Sequence, residues 1–391
     1  MKKIVVVEPQ CLAFEHAQFN AALLATIANA FPQAGISFWA DARHHAEVAL
    51  LLREAGVGIP MPDSPAIEAH WPRNQWRCLI REHRFNQRVM ANAQGESADL
   101  VVFSSISNTA LLSLKLVLGR MDSPPRTLAF VHSILAGLSR RGKRFWNWPL
   151  GIRTAVSVPT PPALTLIGLS GTILRSLAEL HYDDGGWAHL DHPYIFSSPS
   201  LPREPACAGG RTIAVGLLGA LRRSQEQYAE LIGDFSGSAS GFRFALVGHL
   251  ATPYPALARL LPDARVYQPV SYAAFASLMR GVDYVLMLPD RDHHRWAVSC
   301  ALLDAYNHFK PGFFLNTPLV REYRERFGDF GYFADSLQEL RTIMARVGRH
   351  FSPEEYRSQQ DAICRARNHF EPACLAPRLR SIVAPDWPHT S

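Results

Sequence analysis

The chain has 391 residues, of which 48% are hydrophobic and 19% are charged, and its 40 Lys and Arg outnumber its 34 Asp and Glu to give a formal net charge of +6. This composition excludes a largely disordered chain and provides enough apolar side chains for a sizeable core. The small basic excess suits an anionic ligand or membrane surface, and no nucleic-acid-binding motif accompanies it. A chain of this length predicts two domains.

The cysteines and the first residues indicate the compartment of the protein. The six cysteines are scattered and form no CxxC pair, which favours a reduced, intracellular protein without disulfides or zinc. The apolar run in "MKKIVVVEP" is interrupted by Glu8 and Pro9, so it predicts a buried strand rather than a signal peptide. No uncharged run reaches the ~18 residues that a membrane span needs. We therefore expect a cytoplasmic protein, either free or at the inner face of the membrane.

In the first half of the chain, short apolar runs alternate with stretches of helical spacing. Strands are predicted at "KIVVVEP", "ISFWAD", "ADLVVFSS", "RTLAFVHS" and "PALTLIGLS". Helices are predicted at "EHAQFNAALLATIANAF", "HHAEVALLLREAG", "NTALLSLKLVLG" and "GTILRSLAEL". This alternation is typical of a parallel sheet covered by helices on both faces.

A stretch rich in Pro, Ser and Gly, residues 191–211, interrupts the alternation and indicates a linker. Strands are then predicted at "RTIAVGLLG", "FRFALVGHL", "ARVYQPV", "VDYVLMLPD" and "PGFFLN". The helices between and after them are predicted at "SQEQYAELIGDF", "YPALARLL", "SYAAFASLMRG", "VSCALLDAYNHF", "PLVREYRERFG", "YFADSLQELRTIMARV" and "SPEEYRSQQDAICRARNHF".

The predicted fold class is α/β, with two Rossmann-like, doubly wound parallel-sheet domains facing a cleft. The boundaries are an N-terminal domain at 1–195, a linker at 196–210, a C-terminal domain at 211–370 and a tail at 371–391. Ligands of such sheets bind beyond the carboxyl ends of the strands, so the cleft is the expected site.

Four segments of the second half occur in the order of a known family. They are "VGLLGALRRS", "FALVGHL", "VYQPVSYAAFASLMRGVDYVLMLPD" and "WAVSCALLDAYNHFKPGFFLN". Together they resemble the nucleotide-sugar-binding domain of GT-B glycosyltransferases, in particular family 4, over residues 211–350. Over residues 1–195 the resemblance is architectural only. It implies that the N-terminal domain binds the acceptor and that the helix before the tail crosses back to that domain.

The resemblance also implies a helix that begins and ends with Glu, with seven residues between. These two positions fall on Trp296 and Asp304 in this chain. Asp304 keeps a carboxylate that accepts hydrogen bonds from a ribose diol, although it is alternatively a solvated helix residue. Trp296 has no carboxylate, so it is expected to stack on a sugar or to narrow the pocket, and it departs from the retaining chemistry of family 4.

Further donor-binding candidates follow strands of the second domain. Arg222 and Arg223 are expected to neutralise a pyrophosphate, or alternatively to be solvated at a helix start. Ser299 begins a helix whose free N–H groups favour a diphosphate, or else it only caps that helix. The remaining donor-side candidates are Gly216, Gly219, His249, Arg295 and Val298.

Three candidates end strands of the first domain. His132 is the catalytic candidate, because a near-neutral pKa suits either hydrogen bonding to the donor sugar or proton transfer. It is alternatively a structural histidine. Glu8 and Ser170 are acceptor-side candidates at the same edge.

Two further segments have alternative interpretations. Residues 139–153 combine five basic residues with Phe145, Trp146 and Trp148, which suits an anionic membrane surface or else an ordinary basic loop. His293 and His294 suggest a metal site, but adjacent residues rarely both coordinate one ion. We therefore expect no metal and no cofactor besides the donor substrate.

The sequence predicts a glycosyltransferase that moves a sugar from a nucleoside-diphosphate sugar to a glycan or lipid-linked acceptor in the synthesis of a surface polysaccharide or glycoconjugate. The likeness to family 4 implies retention of the anomeric configuration. The alternatives are a sugar-nucleotide epimerase or hydrolase of the same fold, and a non-catalytic binding homologue that has lost the first Glu.

Overall fold

Apolar runs with few charges form the strands of two parallel sheets. The structure, a computed structural model, describes residues 3–60, 67, 74–139, 149–182, 185–197, 212–221, 224–237, 241–261, 270–289 and 295–384. The chain divides into two units, which are Met1–Ser197 with Arg295–Val298 and His369–Ser391, and Ser198–His294 with Ser299–Asn368.

The sheet of the first unit has six parallel strands in the order β2-β1-β3-β4-β5-β6. Its strands are β1 (Lys3–Val7), β2 (Gly35–Trp39), β3 (Leu100–Phe103), β4 (Arg126–Phe130), β5 (Leu164–Gly168) and β6 (Trp187–His189). The four residues of β3 are all buried, as expected for a parallel strand covered on both faces.

Helices flank this sheet. They are α1 (Ala17–Ala30), α2 (Ala42–Glu54), α3 (Gln75–Gly95), α4 (Asn108–Leu118), α5 (Ile152–Ser157), α6 (Gly171–Glu179) and α14 (Pro372–Val383), with a 3-10 helix at Ser133–Leu138. Helix α1 packs against α2 and α14, and α4 packs against α3 and α5. One hydrophobic core extends from β1 to α14.

The sheet of the second unit has five parallel strands in the order β11-β10-β9-β7-β8. Its strands are β7 (Ile213–Leu221), β8 (Phe242–Leu250), β9 (Tyr284–Met287), β10 (Gly312–Leu315) and β11 (Gly331–Ala334). Its helices are α7 (Gln225–Asp234), α8 (Pro255–Leu260), α9 (Tyr272–Arg280), α10 (Cys300–Asn307), α11 (Pro318–Phe327), α12 (Leu337–Arg349) and α13 (Pro353–Phe370). A separate hydrophobic core joins β7 to α12.

Several elements differ from the sequence-based expectation. Strand β6 has only three residues, and helix α3, rich in Arg and Gln, lies in a stretch without a prediction. Strand β11 was expected to be the start of a helix, but that helix, α12, begins only at Leu337 after a Ser336 cap. The strand predicted at "ARVYQPV" lies outside the described residues except for Val270.

Two segments from the second half of the sequence belong to the first unit. Residues 295–298, assigned by sequence to the second domain, belong to the first unit. The predicted tail contains α14, where Leu379 is buried and Arg380 Nε donates to the carbonyl oxygen of Ala30 at 2.9 Å. The physical reason in both cases is burial of apolar side chains in the first core.

Within the described parts of the chain, no helix combines the length and the apolar character needed to cross a bilayer.

Candidate functional site

The carboxyl ends of β1 and β3 form the switch point of the first sheet, because the chain leaves these adjacent strands towards opposite sides. Glu8 follows β1, and Ser104 and Ser105 follow β3. The backbone N–H of Ser104 donates to the carbonyl oxygen of Val7 at 3.0 Å, which keeps the two strand ends side by side. Sheets of this type bind their ligands at such a point.

Glu8 is fully buried at this switch point and accepts five hydrogen bonds. The donors are the hydroxyls of Ser104 (2.9 Å) and Ser105 (2.5 Å), the backbone N–H groups of Gln10 (2.8 Å) and Cys11 (3.1 Å), and the amide of Asn20 (3.1 Å). Burial raises its pKa, but the hydrogen bonds outweigh burial and leave the pKa below its usual value. Glu8 is therefore a structural carboxylate and not the acceptor-contacting residue that the sequence predicted.

Asn20 connects Glu8 to His44. Its amide nitrogen lies 2.7 Å from His44 Nε2, and His44 Nδ1 donates to the carbonyl oxygen of Ala13 at 2.7 Å. Because a carbonyl oxygen only accepts, Nδ1 carries the proton and Nε2 accepts from Asn20. Burial lowers the pKa of His44, which agrees with this neutral form. The loop between β1 and α1 is thus fastened at both ends by buried polar contacts.

His132 lies beyond β4 and contacts the same switch point. Its Nε2 donates to the carbonyl oxygen of Ser104 at 2.8 Å, so the neutral ring presents Nδ1 as an acceptor. Burial, and then the neighbouring His16 and His192, hold the pKa of His132 well below its usual value. A neutral imidazole at this edge suits hydrogen bonding to a hydroxyl group.

Three histidines lie together at this edge, two of them against Phe19, and we call them the histidine cluster. The ring centroid of Phe19 lies 4.5 Å from that of His132 and 4.9 Å from that of His192, and the His16 ring lies 5.3 Å from His132. Burial lowers the pKa of His192 to about 4. His16 and His192 were not predicted, because nothing in the sequence brings them close to His132.

Ser170 has a structural role at the start of α6. Its hydroxyl accepts from the backbone N–H of Ile173 at 3.3 Å, and its side chain is 1% exposed. It caps α6 and has no surface for an acceptor, so its predicted acceptor-side role is corrected to a structural one.

The second sheet has its switch point between β7 and β9. Near the end of β7, Gly219 has φ +79°, and its register partner on β8, Gly248, has φ +147°. A Cβ on Gly248 would lie 2.1 Å from the carbonyl oxygen of Gly219, so only glycine fits there. A Cβ on Gly219 would lie 3.8 Å from Ala301, which brings the end of β7 next to the first turn of α10.

Gly216 has a different role from Gly219. It lies within β7, and a Cβ there would approach Val247 at 3.0 Å and Val282 at 3.1 Å. These contacts are part of the core, so Gly216 permits close packing and not the approach of a ligand. This corrects its assignment to donor binding.

The N-terminus of α10 has the features expected of an anion site. Ser299 is the N-cap residue, and its side chain makes no capping hydrogen bond. The helix dipole favours negative charge at this end of α10. Asp304 follows in the same helix and is half-buried. The structure thus places Gly219, Ser299 and Asp304 on adjoining elements.

A cavity of about 710 Å³ lies at the same end of the second sheet. Its described lining follows four strands and consists of Ser224, Gln225, Glu226, Gln227, Pro289, Leu315, Asp335, Ser336 and Leu337. Residues after β7 and β9 stand on either side of the switch point, and the volume is typical of a ligand site. His249, the penultimate residue of β8, pairs with Ala220 of β7 at this end.

Residues 295–298 contribute to the first unit. Trp296 is 1% exposed, and its Nε1 donates to the hydroxyl of Ser139 at 2.7 Å. Arg295 donates from Nε to Ser176 at 3.0 Å and pairs with Glu179. Val298 packs against the first core. The predicted contact of Trp296 with a sugar is therefore corrected, since a buried indole has no face left for it, whereas the donor roles of Arg295 and Val298 stay predictions.

Other predicted residues lie outside the described part of the chain. These are Arg222, Arg223, His293, His294 and most of the basic segment 139–153. Among the described residues, no three His, Cys, Asp or Glu side chains are grouped as a metal site would require.

Comparison with known proteins identifies the fold. No protein-family model and no curated protein matches the sequence. Among solved structures, the lipopolysaccharide outer core galactosyltransferase WaaB is similar with a TM-score of 0.67 and 11% identity, over 98% of this chain and 100% of WaaB.

A glycosyltransferase from Rickettsia africae ESF-5 is similar with a TM-score of 0.64 and 10% identity, over 98% of each chain. A UDP-N-acetylglucosamine 2-epimerase follows with a TM-score of 0.55 and 13% identity, over 98% of this chain and 96% of the other. The two parallel sheets and these similarities show that the chain has the GT-B fold.

Proposed function

We propose that the protein is a glycosyltransferase that binds a nucleoside-diphosphate sugar on its second unit. The observation that carries this proposal is the meeting of the β7 end with the first turn of α10, at Gly219 and Ala301. A glycine backbone there lets a diphosphate come close, and the helix dipole favours negative charge at the N-terminus of α10. The similar galactosyltransferase and epimerase support a sugar-nucleotide ligand.

We assign the two ends of the donor to different residues of α10 and β7. Ser299 and the first turn of α10 bind the diphosphate, and Arg222 and Arg223, which follow β7 in sequence, neutralise its charge. Asp304 accepts hydrogen bonds from the ribose hydroxyls, because a carboxylate accepts two in a fork. We assign the rest of the nucleotide to the cavity of about 710 Å³ at the same end of the sheet.

In the transfer step, the acceptor hydroxyl oxygen bonds to the anomeric carbon of the sugar. The bond from that carbon to the phosphate oxygen breaks, and the diphosphate leaves with the electron pair. Because the lowered pKa makes His132 a weak base, we assign it to hydrogen bonding with a sugar hydroxyl, and the proton goes to the departing diphosphate. The acceptor, a glycan or lipid-linked saccharide, is assigned to the first unit.

An epimerase is the second candidate, supported by the similarity to UDP-N-acetylglucosamine 2-epimerase. Release of nucleoside diphosphate from a panel of uridine, guanosine and adenosine diphosphate sugars separates the candidates. Release that requires an added glycan or lipid-linked acceptor supports the transferase. Release without acceptor supports the epimerase or hydrolase, and donor binding without release supports a non-catalytic homologue.

A further inference from the structure

Helix α3 presents four arginines in one row on its surface. The intervals between them are four, three and four residues, at Arg77, Arg81, Arg84 and Arg88. At 100° per residue they fall within about 60° of one another and form a row about 17 Å long. Arg77, Arg84 and Arg88 are exposed, and Arg81 is half-buried.

The opposite face of α3 is buried. Its buried residues are Glu82, Asn86, Val89, Met90 and Ala93, and the helix packs against α4. The arginine row therefore points away from the core, and changes in it leave the packing of the helix intact.

Two large apolar side chains lie beside the arginines. Trp76 is 48% exposed and Ile80 is 54% exposed, and the two are one helical turn apart. Both belong to the row of side chains next to the arginines. Exposed apolar side chains beside basic ones are typical of a helix that lies in the interface of a membrane.

Three of the four arginines are not paired with acidic side chains of the described residues. The one acidic residue of α3 is Glu82, which is 3% exposed and accepts a hydrogen bond from Ser107. Arg77, Arg84 and Arg88 take part in none of the ion pairs formed among the described residues.

A groove of about 780 Å³ runs along the arginine row, and its described lining belongs entirely to α3. These residues are Arg77, Ile80, Arg81, Arg84, Gln87, Arg88 and Ala91. The groove therefore offers several guanidinium groups to phosphate oxygens at once, which Arg binds in a bidentate way.

We propose that α3 docks the protein on an anionic lipid bilayer, with the arginines at the phosphates and with Trp76 and Ile80 in the headgroup region. A soluble polyanion would satisfy the arginines but not the two apolar side chains, whereas a bilayer satisfies both. Docking goes beyond the proposed transfer reaction and does not depend on it. It would present the first unit to an acceptor carried by a lipid.

Sedimentation with lipid vesicles tests this proposal. The full chain is mixed with phosphatidylcholine vesicles, either pure or containing roughly one third phosphatidylglycerol, a charge density in the range of anionic leaflets. We expect binding to the anionic vesicles only, weakened by added salt. In R77Q/R84Q/R88Q the partition coefficient should fall on the order of 100-fold, since each basic residue near the surface contributes separately. W76S/I80S should bind on the order of tenfold more weakly.

The matched control is R53Q/R120Q/R349Q, which removes the same charge from exposed arginines on other elements and should bind like wild type. Melting temperatures verify that each variant is folded. Equal loss in the two triple variants would overturn the proposal, because net charge alone would then explain binding. The proposal would also be overturned if the protein bound soluble polyphosphate in a way that required Arg77, Arg84 and Arg88 but did not bind vesicles.

Discussion

The imidazole of His132 donates from Nε2 to the carbonyl oxygen of Ser104, at 2.8 Å. The hydroxyl of the same serine donates to the buried carboxylate of Glu8 at 2.9 Å. Glu8 thus holds the backbone at Ser104 in place, and the carbonyl oxygen of Ser104 in turn determines the tautomer of His132. The ring is neutral because its pKa is held well below the usual value, and its Nδ1 can only accept.

Replacing His132 by Gln should lower the turnover of a transferase on the order of 10- to 100-fold, because one hydrogen bond to the sugar is lost or misplaced. Steady-state kinetics with the donor identified in the panel give the measurement, and His350→Gln, at the exposed end of α12, is the control. Because His132 stays neutral, lowering the pH from 7.5 to 5.5 should reduce the rate of the wild type no more than the rate of the variant. Unchanged turnover would remove His132 from the site.

His192 should make stability sensitive to acid. Its folded pKa is about 4, whereas an unfolded histidine has a pKa of about 6.5, so the unfolded state binds more protons between these values. The stability that the neutral ring contributes is present above the unfolded pKa and is lost as the pH falls. Between pH 7 and pH 5 the loss is about 2 kcal/mol.

Urea unfolding of wild type and His192→Gln at the two pH values isolates this contribution. The variant should lose about 2 kcal/mol less on acidification than wild type, because the other histidines are common to both proteins. An identical pH dependence would show that His192 is not buried in its neutral form.

Asp304→Asn should weaken binding of the nucleotide on the order of 10- to 100-fold, since charge-assisted bonds to the ribose become neutral ones. Asp361→Asn removes an exposed carboxylate from α13 and serves as the matched control. Calorimetric titration with nucleoside diphosphates measures the affinity of each variant. Equal affinities for the two variants would mean that Asp304 does not contact the ribose.

Gly219→Ala tests the close approach of backbone to diphosphate. Gly219 has φ +79° and Gly56 has φ +68°, so alanine at either position costs about 1 kcal/mol of backbone strain. A Cβ on Gly56 meets no atom within 4 Å. Both variants should therefore have similar melting temperatures, while only Gly219→Ala should bind donor more weakly. Equal donor affinity in the two would contradict the placement of the diphosphate beside β7.

Most strands were predictable because a parallel strand covered on both faces is an uninterrupted apolar run. "KIVVVEP" and "RTLAFVHS" show this directly. Strand β6, with three residues, is too short to show such a run, and β11 continues in sequence into the segment "YFADSLQELRTIMARV", which was predicted to be one helix. Their place is set by pairing with β5 and β10, which the local sequence does not encode.

The roles assigned to Gly219, Asp304 and His132 stay predictions. That ligand residues follow strand ends is a topological rule, and it indicates the end of β7 and the residues after β4 as candidate positions. The rule does not distinguish the structural carboxylate of Glu8 from a ligand-binding residue. The partners that make Glu8 structural, Ser104 and Ser105, lie 96 and 97 residues away in sequence. The rule also does not distinguish Gly216, which permits core packing, from Gly219, which has a positive φ. The two glycines differ in their backbone dihedral angles and in the side chains next to them.

Trp296 shows the same limit. Its sequence neighbours belong to the nucleotide-binding half in the family resemblance, but its side chain is buried in the first core with Ser139 as partner. Burial among residues more than 150 positions away is a tertiary effect, and no local pattern reports it.

Hydrogen–deuterium exchange of the full chain, with and without a nucleoside diphosphate, tests whether the second unit binds the nucleotide. We predict protection of the peptides that cover the end of β7, the following residues up to 227, and the first turn of α10 through Asp304. Protection confined to other peptides, or no protection at saturating ligand, would contradict the placement of the nucleotide on the second unit.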